Sequence, residues 1–163
     1  MARRGDDSVL LTAVALGTIA GIRSMAAPAL LSYGVAESGD ADEFGPLERI
    51  LASDATPRIL ALLAGGEMLA DKTDFVPDRT DPVPLIGRAV VGGVTAAAFA
   101  VQRRHPVLLP ALVGGASAIA STFAFFHLRR LARDHWHVPD PVLGFAEDAI
   151  VLAASKAVVD SME

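Results

Sequence analysis

The chain has no cysteine, which excludes disulfides, a thiolate metal site and a thiol nucleophile. It has no basic excess either. Fourteen Lys+Arg stand against nineteen Asp+Glu, a formal charge of −5, and a nucleic-acid binder would show the opposite balance. Low hydrophobicity, the mark of disorder, is missing as well: 52% of the 163 residues are apolar and the mean hydropathy is +0.44. What is present is apolar sequence gathered into blocks, in a length that suits one domain. The leading class is therefore an all-α, polytopic membrane protein.

Five blocks can be read: Ser8–Tyr33, Ile59–Ala70, Val83–Val101, Val107–Leu128 and Pro141–Val159. About 20 helical residues cross ~30 Å of hydrocarbon. Four blocks reach that length or nearly so. The second reaches it only as a helix over 57–73, which takes Glu67, Asp71 and Lys72 to membrane depth or the interface; otherwise it is a buried or re-entrant segment. Thr56-Pro57, Asp81-Pro82 and Asp140-Pro141 each set a capping residue before a proline suited to a first helical position. The expected spans are 8–33, 57–73, 82–102, 106–128 and 141–160, within a single transmembrane domain over 1–163. An acidic loop, 34–56, holds a helical turn or two from Pro46 to Leu51. Tyr33 and Trp136 lie at span ends, where amphipathic aromatics collect.

Two other readings compete for these blocks. Arg3-Arg4, an apolar run and Met25-Ala26-Ala27 resemble a signal peptide, but Asp6 and Asp7 spoil its basic region. A soluble all-α domain would show polar stripes at helical spacing, and from Leu112 to Phe126 the fourth block offers only Ser, Thr and Gly. Lys and Arg near span ends number seven on the N-terminal side and four on the other. This favours a cytoplasmic N-terminus and an external C-terminus in a bacterial inner membrane. With the third span as a connector, spans one–two and four–five form two halves of opposite orientation, an inverted repeat. Gly17-x-x-x-Gly21, Gly92-Gly93 and Gly114 with Ala118 mark close helix packing, within the bundle or in a homodimer.

Charges inside the blocks need partners, since each costs at least ~2.5–3.5 kcal/mol at the bilayer centre. Arg23 lies two thirds of the way along the first block, Glu67 in the second, and Glu147 and Asp148 in the fifth. Arg23 is expected to pair with Glu67 or with Glu147/Asp148, leaving an excess of acid. Arg23, Glu67, Asp71, Lys72, Glu147 and Asp148 are the candidate ion or solute pathway. Glu67, Asp71, Asp74 and Asp78 fall on one helical face, and clustered carboxylates suit a divalent cation. The spacing of Asp71, Asp74 and Asp78 is similar to the metal–diphosphate motif of membrane prenyltransferases, although the chain is much shorter and lacks a clear second motif. Arg129, Arg130 and Arg133 read as headgroup anchors, with phosphate recognition as the minority reading. His135 and His137 flank Trp136 in a short connector. Ser24, Ser117 and Ser121 have no visible base, so no catalytic residue is assigned.

Gly21-Ile-Arg23, Glu67-x-x-Ala70-Asp71-Lys72 with Asp78, Gly114-Gly115-Ala116, the arginines after it, and Pro139-Asp140-Pro141 leading to Glu147-Asp148 together resemble an uncharacterised bacterial integral-membrane family, classed only as a domain of unknown function. The resemblance covers nearly the whole chain and implies a multi-span membrane protein with no established activity. Three functions remain open: a small transporter or channel, a divalent-metal enzyme acting on lipid phosphates, and a structural accessory subunit.

Overall fold

A computed structural model describes residues 2–37, 45–70 and 80–162. Among them are seven helices and no strand: α1 (Ala2–Ile22), α2 (Ala26–Glu37), α3 (Pro46–Leu51), α4 (Thr56–Ala70), α5 (Pro82–Gln102), α6 (Leu108–Trp136) and α7 (Asp140–Met162). Two of these, α5 and α6, are long and apolar enough to cross a bilayer; α1 adds a shorter apolar stretch, Asp7–Ile22. The five-span expectation is thus met for its third and fourth blocks. Large apolar side chains face outward on many helices, Leu62, Val83 and Leu108 being more than 70% exposed.

The prolines fall in first turns as expected, Pro82 in α5, Pro57 in α4 and Pro141 in α7. The expected caps do not form in that way: Asp81 makes no side-chain cap bond, and Thr56 and Asp140 are themselves the first residues of their helices. The turn expected in the acidic loop is α3, with Pro46 at its start. The connector expected at His135–His137 is shorter: α6 continues to Trp136, and His137 caps it in the left-handed region at φ 53°.

The first block departs furthest from expectation. It is not one straight span, because helix stops at Ile22 and restarts at Ala26. An uninterrupted α1 would run on beside α6. Instead α2 packs against α4, α5 and α7.

At the centre α1, α5 and α6 touch through glycine. A Cβ on Gly17 would strike the Gly114 backbone, one on Gly21 would strike Ala118 and Ser121, and one on Gly114 would stand 2.6 Å from the Gly92 carbonyl oxygen. The three small-residue runs in the sequence are therefore one three-helix contact inside a single chain. Ser121 Oγ donates to the Thr18 carbonyl at 3.1 Å, closing the same interface.

These contacts also set helix direction. Gly17 meets Gly114 and Gly21 meets Ala118, so α1 and α6 run parallel. Arg88 meets Gly21, and Gly92 meets Gly17, so α5 runs against α1. Asp148 meets Arg23, while Ala157 and Val158 share a cavity wall with Leu11 and Thr12, so α7 also runs against α1. Three sequence expectations change as a result. Alternating five-span order made spans one and three parallel, and they are antiparallel, because the chain turns within the first block. An inverted repeat needs α1 and α6 antiparallel, and they are parallel. The start of α1 and the end of α7 lie at the same end of the bundle, not at opposite ends.

The charge count behind the orientation changes too. Arg103 and Arg104 stand beside the start of α1, and Arg129, Arg130 and Arg133 stand at the far end of α6. Each group had been counted on the other side, so the asymmetry that favoured an internal N-terminus falls away. A cysteine-free chain makes the geometry simple to check. Single cysteines at Asp7 and Arg104 should react with an impermeant maleimide from one face of sealed vesicles, and a cysteine at Asp134 from the other. Labelling of Asp7 and Arg104 positions from opposite faces would contradict this arrangement.

Candidate functional site

The turn between α1 and α2 creates the site. A helix that stops leaves carbonyls at its C-terminal end and amides at the next N-terminal end without helical partners. In a bilayer such groups are tolerated only inside protein. Here charged side chains meet them. Arg88 Nη1 donates to the carbonyls of Gly21 at 2.6 Å and Ile22 at 3.0 Å, and Thr122 Oγ1 donates to Gly21 at 2.9 Å. The Glu67 carboxylate accepts from the amides of Ser24 and Met25, both at 2.8 Å. Cation at the carbonyl end and anion at the amide end is the arrangement that the helix dipoles favour. The two side chains also face each other, Arg88 Nη2 lying 3.6 Å from Glu67 Oε1.

Arg23 sits in the turn, fully buried. Its Nε donates to Asp148 Oδ1 at 2.8 Å, and Nη2 lies 3.7 Å from Glu147 Oε2. Glu147 is shared, since Arg129 Nη1 stands 3.7 Å from the same oxygen. Arg129 Nε in turn donates to Asp140 Oδ1 at 3.1 Å, and Arg133 Nη1 reaches Asp140 Oδ2 at 3.4 Å. The side chains form a ladder that grades from core to surface: Arg23 0% exposed, Glu147 6%, Arg129 18%, Asp140 48%, Arg133 54%.

Of the residues singled out from sequence, Arg23, Glu67, Glu147 and Asp148 converge on this turn. Arg23 takes Asp148 and Glu147, and Glu67 goes to the turn amides and Arg88. Asp71, Lys72, Asp74 and Asp78 lie outside the described residues. Among the described residues, no group of three or more His, Asp or Glu is placed to hold a metal ion. Ser121 is engaged with the carbonyls of Thr18 and Ala118.

Two members were not expected. Arg88 lies inside the third block, near its start, and its charge had no partner or role assigned. Arg129 was grouped with the headgroup anchors, yet it turns inward to Glu147. With both included, Arg23, Arg88 and Arg129 each have a carboxylate partner among the described residues.

No curated protein and no solved structure matches the chain. Residues 10–160 match the family model described as a domain of unknown function, DUF4126, and the chain belongs to that family.

Proposed function

We propose that this is a small transporter or channel of a bacterial cytoplasmic membrane, with the α1–α2 turn as its ion or solute site. The observation that carries the reading is the ladder from Arg23 through Glu147, Arg129 and Asp140 to Arg133. It joins a fully buried charge to half-exposed charges near the end of α6 and the start of α7. Its inner end abuts the glycine-packed contact of α1, α5 and α6, which leaves no gap for a solute. In the proposed cycle this run of charges is the route from one side, and the glycine contact closes the other. Interrupted helices with charges at the break are how many transporters build such a site.

A turn needed for shape alone can be capped by neutral Ser, Asn or Gly. Ionisable groups at that depth are costly, and they mark ion and proton pathways. In the proposed cycle Glu67 and Glu147 exchange protons or bind a cation, while Arg23 and Arg88 hold the turn or meet an anionic solute. A second copy of the chain supplies the remaining wall of the path.

Glu67→Gln and Glu147→Gln test the reading. Each should abolish proton or ion flux in proteoliposomes while the folded yield stays near that of the unaltered chain. Retained flux in both variants would overturn it. The carboxylate partners that Arg23, Arg88 and Arg129 find among the described residues favour a second reading, in which the network only fixes helix packing in an accessory subunit. That reading requires no flux from the unaltered chain under any imposed gradient. The divalent-metal enzyme rests on the spacing of Asp71, Asp74 and Asp78 alone. It requires thermal stabilisation by Mg²⁺ or Mn²⁺ that Asp71→Asn removes.

A further inference from the structure

Helix α7 is attached to the bundle differently along its two halves. Its first nine residues, 140–148, are pinned by charge: Asp140 to Arg129 and Arg133, Glu147 to Arg23 and Arg129, and Asp148 to Arg23. From Ala149 to Val159 only Val151 and Val158 are buried, with Ala154 and Val159 packed partly against the core. This half has no share in the glycine contact. There α1, α5 and α6 meet backbone to backbone, whereas α7 rests on valine side chains. Both of its flanks are open. On one side Ile150, Ala154 and Ala157 face a cavity of about 440 Å³ shared with α1 and α6. On the other, Leu152 and Ser155 face a cavity of about 350 Å³ shared with α2 and α4. In the bilayer both grooves hold fluid hydrocarbon. An interlocked core resists displacement, but a helix resting on a narrow stripe between two fluid grooves is free to shift sideways.

The second cavity leads to the charged turn. Its lining includes Ala26, which follows Met25, Met68, which follows Glu67, and Val151, one helical turn from Asp148. At this inner end it is shut, with Val151 1%, Ala26 7% and Ala64 8% exposed. Its other end lies at Tyr33, Pro57 and Ser155, in the direction α7 takes toward the end of the bundle that holds both termini.

We infer that the second half of α7 rocks about the pinned charges, and that swinging Val151 away from α2 opens the charged turn toward the side that the glycine contact closes. The role of this movement rests on the proposed pathway; the movement itself does not. From Asp148 to Val158 the lever is ~15 Å long at 1.5 Å per residue, so a tilt of about 20° carries its tip ~5 Å.

The test is double electron–electron resonance on spin-labelled cysteine pairs, with the full chain in lipid nanodiscs; no native cysteine interferes. Ala153 of α7 is paired with Val94 of α5, and Val101 of α5 with Ala120 of α6 as the reference inside the glycine-packed core; all four positions are exposed. The reference pair should give one narrow distance. The Ala153–Val94 pair should give two distances, or one distribution at least twice as wide. Ala29→Phe, which projects into the second cavity from α2, should change the balance of the two α7 positions by twofold or more and leave the reference pair unchanged. An Ala153–Val94 distance as narrow as the reference overturns the movement. Two α7 positions that Ala29→Phe does not rebalance overturn the part given to the second cavity. Should Ala29→Phe not fold, the two pairs on the otherwise unaltered chain still decide. Lost flux in Glu67→Gln and Glu147→Gln beside one narrow α7 distance would remove the movement and keep the pathway. Retained flux in both beside two α7 positions would do the reverse.

Discussion

Arg88→Met should destabilise the folded chain by about 3–5 kcal/mol, the cost of removing one partner from a buried ion pair. The substitution keeps the length and apolar stem of the side chain and removes only its donors. Two consequences act together. The carbonyls of Gly21 and Ile22 lose their charged donor, and the partly buried Glu67 loses the cation 3.6 Å away. Thr122 remains on the Gly21 carbonyl, so Ile22 is left the worse served. Arg88→Lys should fall between the two. An ammonium carries the charge but cannot span two carbonyls and a carboxylate as a planar fork does. Arg103→Gln is the matched control. That arginine is exposed and stacks over Phe99 at 5.4 Å, a contact worth at most about 1 kcal/mol. Unfolding followed by far-ultraviolet circular dichroism in mixed micelles measures all three. Adding Glu67→Gln to Arg88→Met should recover part of the loss, because the uncompensated anion is gone. Simple addition of the two single losses would mean that Arg88 and Glu67 do not act through the turn together.

The members of this site were unequally legible in the sequence. Arg23, Glu147 and Asp148 stood out because a charge within an apolar block must be paired, and the structure pairs them. The turn that gathers them was hidden, since Ser8–Tyr33 reads as unbroken apolar sequence of spanning length. Pro28 was the available signal. In an uninterrupted helix its ring would meet the carbonyl of Ser24. In the structure it falls in the first turn of α2, where a missing N–H does no harm. Arg88 is also a charge within an apolar block, six residues into α5, but only the neighbouring turn shows which carbonyls and which carboxylate its guanidinium meets. Helix direction was beyond the sequence altogether. One unrecognised turn reverses every later helix relative to α1, so the alternating order, the inverted repeat and the side of the C-terminus fell together. The charges near span ends carried no correction, because they were assigned to sides by that same order.

Gly17→Val should cost about 3 kcal/mol or more and sharply lower the yield of folded protein, the largest effect expected of an uncharged substitution here. Overpacking usually costs 1–3 kcal/mol when side chains can yield. At Gly17 the obstacle is the backbone of Gly114, which cannot yield without moving α6. That movement would spread, because Gly114 is held in turn against Gly92 of α5, its own Cβ space being filled to 2.6 Å by the Gly92 carbonyl oxygen and by Ala96. It would also pull Thr122 away from the Gly21 carbonyl and so loosen the charged turn. Gly87→Ala provides the contrast. No atom outside its own stretch of helix lies within 4 Å of where its Cβ would stand, so the change should be neutral or slightly stabilising through helix propensity. The same pair of variants separates two meanings of a glycine stripe in a membrane helix. If Gly17 and Gly21 formed a face between two copies, Gly17→Val would shift the chain from dimer to monomer in detergent with its melting midpoint kept. Because they join α1 to α6 within one chain, the midpoint should fall whatever the oligomeric state. Size-exclusion chromatography with light scattering, run beside the melting curve, reads both quantities from one preparation.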